Sequence, residues 1–219
     1  MKNKSNNLMT CITVLFIASC SKSEPVVSNN FNKSKLNEDS SFVSLYHQEL
    51  ELSSFIKEIA QQKGITLNDL KDKIANISNS NLNKSDQVNK LDSLMGSGTS
   101  EYIKSYSQKF TKNWNQLNSN NKNYSLKDFD DACRDIFYRE AMLRIKANKE
   151  SMVIGTIGDD CGLTYYLCIG GATAASILCH AGCISLTAGF GAPACVLLCG
   201  TIQVAAGAAC ITSYCPIPK

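Results

Sequence analysis

Apolar side chains between Phe42 and Lys63 recur at helical intervals: Leu45, Leu52, Phe55, Ile56 and Ile59 fall three, four and seven positions apart. The spacing predicts a helix over that stretch, stopped by Gly64. Leu67, Leu70, Ile74 and Ile77 predict a shorter helix over Thr66 to Ile77, and Asn76 to Asn83 reads as a loop. Ser85 or Asp86 is the expected cap of a third helix carrying Val88, Leu91 and Leu94, ended by Gly96-Ser97-Gly98. Thr99 or Ser100 opens a fourth, with Tyr102, Ile103, Tyr106, Phe110, Trp114 and Leu117 at helical spacing. After a polar stretch, Ser125 with Asp128 three residues on marks the entry to a fifth helix from about Leu126 to Lys149. Its apolar side is Phe129, Cys133, Ile136, Phe137, Ala141, Leu143 and Ile145. Residues 42–150 therefore read as a small helical domain of four or five amphipathic segments, without strand alternation or internal repeat.

Beyond residue 150 the pattern changes character. Residues 151–160 form a hinge softened by Gly155 and Gly158 and ended by Asp159-Asp160. From Cys161 onward the only formally charged side chain is Lys219, and eight of the thirteen glycines lie there. Cys161, Cys168, Cys179, Cys183, Cys195, Cys199, Cys210 and Cys215 are arranged almost symmetrically about Gly189. The steps are 7, 11 and 4 before it, and 4, 11 and 5 after it. At about 100° per residue the first four share one helix face, as do Cys195, Cys199 and Cys210. Cys215 precedes Pro216, which biases it out of the helix, and Pro193 suits the first turn of the second arm. A turn over residues 188–193 then sets each cysteine opposite its mirror partner. Packed helices bring facing Cα atoms within disulfide range. The expected bridges are Cys161–Cys215, Cys168–Cys210, Cys179–Cys199 and Cys183–Cys195, although eight cysteines allow 105 pairings. The predicted fold is all-α: a small helical domain followed, over 161–219, by an apolar, disulfide-stapled helical hairpin.

The first residues look like an address. Lys2 and Lys4 precede an apolar run from Leu8 to Ala18 that is too short to span a bilayer convincingly. It ends in Ile17-Ala18-Ser19-Cys20, which resembles the lipobox of bacterial lipoproteins. That resemblance implies a signal peptide over 1–19, lipidation of Cys20 and anchoring at the cell envelope; the alternative is an ordinary secretory signal. Residues 20–41, rich in Ser, Asn and Lys, read as a flexible tether. Either kind of signal exports the chain, so the cysteines meet an oxidising compartment. Cys11 leaves with the signal, and Cys133 is left over as a buried helix residue or an intermolecular bridge.

A net charge of +3 over 219 residues gives no reason to expect a nucleic-acid partner. His47 and His180 stand in unrelated contexts, with no nucleophile elbow, metal triad or phosphate loop, so no enzyme, metal or cofactor is expected. His180, between Cys179 and Cys183, reads as an exposed or rim residue rather than a ligand. Leu163 to Leu186 and Ala194 to Ile211 are uncharged, and the first arm is long enough to cross a bilayer core. Three readings stay open: the hairpin packs on the 42–150 domain, inserts in a membrane, or does the first in a precursor and the second once released.

Two resemblances bear on these readings. Cys179-x3-Cys183 and Cys195-x3-Cys199, eleven residues apart, are similar to the twin motif of helical-hairpin proteins such as the α-hairpinin peptides and the small mitochondrial translocase chaperones. That likeness implies a hairpin. The region Cys161 to Cys215 resembles Cys-rich bacteriocin precursors, especially halocin C8-like proteins, and the lipoprotein-type start with a Cys-rich end is similar to fulvocin C-related proteins. This likeness implies a membrane-active antibacterial peptide that is released from its precursor. It also implies that the N-terminal part serves export or self-protection.

Overall fold

A computed structural model describes residues 35–80, 82–119, 124–151, 163–186 and 193–214. Among them the chain is all-helical. A 3-10 turn (Lys35–Glu38) is followed by α1 (Ser40–Lys63), α2 (Leu67–Ser78), α3 (Lys84–Met95), α4 (Thr99–Ser119), α5 (Leu126–Ser151), α6 (Leu163–Leu186) and α7 (Pro193–Tyr214). The helices begin and end where local chemistry satisfies their terminal groups. Asp39 caps α1 by accepting from the Ser41 N–H, and Thr66 caps α2 by accepting from the Asp69 N–H. Gly64 adopts φ 62° at the end of α1, and the Ile65 N–H returns to the Ala60 carbonyl, a left-handed closure that favours glycine. Ser125 and Asp128 form the expected reciprocal entry to α5.

Several expectations need correction. Asn83, not Ser85 or Asp86, caps α3: its side-chain oxygen accepts from the Asp86 N–H, which places Asp86 inside the first turn. Leu143 is 68% exposed, so it does not belong to the buried side of α5. The last part of the stretch read as a tether is the Lys35–Glu38 turn, with Leu36 buried and Asn37 donating to Asp135 at 2.5 Å. The expected signal, Cys20, the 151–160 hinge beyond Ser151 and the bend about Gly189 lie outside the described residues.

The chain forms two compact units that combine segments which the sequence reading kept apart. One contains the 3-10 turn, α5, α6 up to Ala175 and α7 from Ala206. Its buried residues include Leu36, Phe129, Cys133 and Ile136. There α5 and α6 approach so closely that a Cβ on Gly170 would stand 2.6 Å from the Arg134 Cα. The Arg134 guanidinium pairs with Asp130 at 2.7 Å and donates to the Leu167 carbonyl at 2.5 Å.

The other unit contains α1–α4 with Ser176–Ala205 of the hairpin. α1 packs chiefly along α4, and α3 against α2 and α4. The stripe read from the sequence is its core: Leu45, Leu52, Ile56, Ile103 and Phe110 are fully buried, while Phe55 stacks on Tyr102 with ring centres 4.1 Å apart. Ile177, Val196, Leu197 and Cys199 join that core from the hairpin. A Cβ on Gly200 would lie 2.6 Å from the Ile56 Cδ1, so this glycine lets α7 come close to α1.

Candidate functional site

The apolar hairpin carries a narrow polar stripe. Ser176 and His180, one turn apart on α6, are both fully buried. Opposite them on α1, Glu49 holds the position in the stripe between Leu45 and Leu52 that a leucine would otherwise fill, and it too is fully buried. A buried carboxylate is very costly unless it is paired and hydrogen-bonded. Here each oxygen is engaged. Glu49 Oε1 accepts from the Tyr106 hydroxyl at 2.8 Å and lies 2.6 Å from His180 Nδ1; Oε2 accepts from the Ser176 hydroxyl at 2.8 Å. His180 Nε2 is 2.9 Å from the Val196 carbonyl in the first turn of α7. A carbonyl only accepts, so that nitrogen carries a proton. The Tyr106 hydroxyl lies 3.1 Å from His180 Nδ1 as well, so carboxylate, phenol and imidazole meet at one point. The rings of Tyr106 and Phe110 meet the imidazole edgewise. One turn along α1 from Glu49, Ser53 donates to Gln203 Oε1 of α7 at 2.8 Å, again in the interior.

Burial, and next the Glu49 carboxylate at its hydroxyl, push Tyr106 well above the ordinary phenol range. It is therefore a donor to Glu49 and not a competing anion. Every side chain of this network is buried. It joins α1 and α4 to one serine, one histidine and one glutamine on two helices that carry no charged side chain.

The expected position of His180 at the rim is overturned. The imidazole is fully buried because Glu49 and Val196 satisfy both of its nitrogens there. His47 lines a separate open groove with Leu50, Glu51, Phe55, Glu58 and Tyr102. Tyr102 there is raised by partial burial and then by Glu51. Cys133 is buried on α5.

Three of the mirror-image bridges are present: Cys168–Cys210, Cys179–Cys199 and Cys183–Cys195, each with Cα atoms 5.9 Å apart. Cys161 and Cys215, the expected outermost pair, lie outside the described residues. The sulfurs of Cys179, Cys183 and Cys199 fall within 4.8 Å of one another, but each is already bonded to a second sulfur, so the cluster offers no thiolate to a metal. Leu167–Ser185 and Pro193–Tyr214 are long and apolar enough to cross a membrane by length and composition, with 72% and 50% of these windows buried in the structure.

Glu49, Tyr106 and Ser176 were not singled out by the sequence as a site. The signal for Glu49 was its place on an apolar stripe; for Ser176 and His180 it was two polar residues four apart on an apolar helix. No family model, curated protein or solved structure matches the chain.

Proposed function

We propose that this chain is an exported, membrane-anchored lipoprotein, held by lipid on Cys20, whose α6–α7 hairpin is a bacteriocin-like, membrane-active element kept covered by the helices that precede it. The observation that carries the reading is the contrast between the hairpin's two kinds of surface. Its length is uncharged and sufficient to enter a bilayer. Three of its buried polar side chains, Ser176, His180 and Gln203, are turned onto Glu49 and Ser53 of α1. A hairpin in lipid would need partners for those groups; bound to α1, it has them. The polar helices are then a cover matched to this hairpin.

The burial of most of the Leu167–Ser185 window favours a second reading, in which the hairpin is the permanent core of a surface lipoprotein and binds or supports a partner. Leakage of a dye from anionic liposomes separates the two. The intact oxidised protein is expected to leave liposomes sealed, and protein cut between residues 151 and 160 is expected to release the dye. Cut protein that leaves them sealed would favour the permanent core.

A further inference from the structure

The two inner disulfides do not stand apart. Cys183 Sγ, bonded to Cys195, is 3.5 Å from Cys199 Sγ, which is bonded to Cys179. The four residues also differ in access. Cys179, Cys183 and Cys199 are buried, at 7%, 1% and 0% exposure, whereas Cys195 in the first turn of α7 is partly exposed. A thiol from outside therefore meets this pair of bonds at Cys195, and the sulfur that it displaces is already next to the second bond.

We propose that Cys195, Cys183, Cys199 and Cys179 form a dithiol–disulfide exchange relay that is entered at Cys195 and delivers a thiol at Cys179. The co-reactant is a dithiol, whether a small molecule or the paired thiols of an oxidoreductase. One of its thiolates attacks Cys195 Sγ, forming a mixed disulfide, and the Cys183–Cys195 bond breaks with its electron pair passing to Cys183. The Cys183 thiolate turns about its Cα–Cβ bond into line and attacks Cys199 Sγ. A Cys183–Cys199 bond forms, the Cys179–Cys199 bond breaks, and the electron pair leaves on Cys179. The second thiolate of the dithiol then attacks its own sulfur in the mixed disulfide and displaces Cys195. The dithiol has lost two electrons and becomes a disulfide; its two protons end on Cys179 and Cys195; the protein has one bond fewer.

The internal step has to outrun resolution by the dithiol. Its advantage is proximity: the attacking and accepting sulfurs are held within contact range, where intramolecular reactions have very high effective concentrations. Exchange proceeds through just such thiolate attack on a disulfide sulfur and depends on access to the sulfur attacked. The relay would let an oxidoreductase that reaches only the rim of the hairpin rearrange bonds in its interior.

The test uses the full-length oxidised protein, limiting dithiothreitol, an acid quench, alkylation of thiols and peptide mapping without further reduction. The expected major product singly reduced within these four residues has alkylated Cys179 and Cys195 with Cys183 linked to Cys199. Alkylated Cys183 and Cys195 with the Cys179–Cys199 linkage intact would show direct reduction and overturn the relay. So would alkylated Cys179 and Cys199 with Cys183–Cys195 intact, which would place entry at the other bond. A Cys195→Ser variant isolates the internal step without reductant: its remaining thiol is expected on Cys179, and a thiol on Cys183 would count against the relay.

Discussion

Glu49 Oε1 and His180 Nδ1 are 2.6 Å apart in a site from which both side chains are fully closed to water. The relationship joins the buried acid of α1 to the one imidazole of the hairpin. It works in both directions: the hairpin supplies Ser176 and His180 to a carboxylate that would otherwise be stranded, and Glu49 supplies acceptors to groups that would otherwise be stranded in lipid or in a dry interior. Neither partner is well served elsewhere.

Removing one side of this arrangement should therefore be expensive. Glu49→Leu leaves His180 Nδ1 and the Ser176 and Tyr106 hydroxyls facing apolar atoms, and breaking a buried pair costs about 3–5 kcal/mol. Chemical denaturation under non-reducing conditions should show a loss of that size. Combining Glu49→Gln with His180→Asn in a double-mutant cycle should give a coupling of about 0.5–3 kcal/mol, as for residues in one network. An additive cycle would show that the two side chains do not act together.

Tyr106 sets an alkaline limit. Its folded-state value is raised by burial and by Glu49, so un-ionised tyrosine is favoured in the native protein relative to the unfolded chain. That contribution is fully present below the unfolded value of about 10 and is lost as pH rises from there through the higher folded value. Stability followed by denaturant midpoint should decline above pH ~10, with tyrosinate absorbance from Tyr106 appearing only as the protein unfolds. In Tyr106→Phe this part of the alkaline loss should vanish, at a cost below pH ~10 of about 1–3 kcal/mol for the hydrogen bond lost to the buried carboxylate.

How much of this was legible in the sequence depended on the kind of information involved. Helical periodicity placed α1, α2 and α4 nearly to the residue because each has one apolar face, and Gly64 marks a stop by its own backbone geometry. The three observed bridges matched the expectation drawn from the mirror symmetry of the cysteines about a turn and from their shared helix faces, since cysteines facing the same way on two antiparallel helices have few partners within reach. Glu49 was opaque for the opposite reason. A single acid on an apolar stripe has no local partner, and its partners Tyr106, Ser176 and His180 are 57, 127 and 131 residues away. His180 was misplaced at the rim because nothing in Cys179-His180-Ala181 tells that α1 brings a carboxylate to that face. The compact units, each made of segments distant in sequence, were hidden in the same way.

Two glycines should respond oppositely to alanine. Gly170 faces the Arg134 backbone, where a Cβ would sit 2.6 Å from Cα and 2.8 Å from N, so α5 and α6 would have to separate. Gly170→Ala should destabilise by about 1–3 kcal/mol, the usual range for overpacking. Gly182 is also within α6, but a Cβ there meets nothing within 4 Å. Gly182→Ala should stabilise by up to about 1 kcal/mol through helix propensity and the lower entropy of the unfolded chain. Melting temperatures of the two oxidised variants check both signs, and equal effects would argue against the close α5–α6 approach.

The bridges should not contribute in proportion to the loops they close in the linear sequence, because they are nested. Cys168–Cys210 has a sequence separation of 42, but with Cys179–Cys199 intact the ring it closes consists of two eleven-residue steps joined through that inner bond. Chain-entropy reasoning then gives about 3 kcal/mol for Cys168–Cys210 rather than about 4. Cys183–Cys195, the innermost bond with a separation of 12, also closes a short ring with Cys179–Cys199, whose remaining path is only the two four-residue steps if the bend is excluded. Removing Cys168 and Cys210 together as alanines should cost about 3 kcal/mol in the oxidised protein and about 0.5 kcal/mol more when both inner bonds are also absent, since Cys183–Cys195 alone still shortens the ring. Guanidinium denaturation of these deletions measures the difference. Strictly additive losses would mean that the bonds constrain independent segments of the unfolded chain, contrary to a ladder that staples two antiparallel helices along their length.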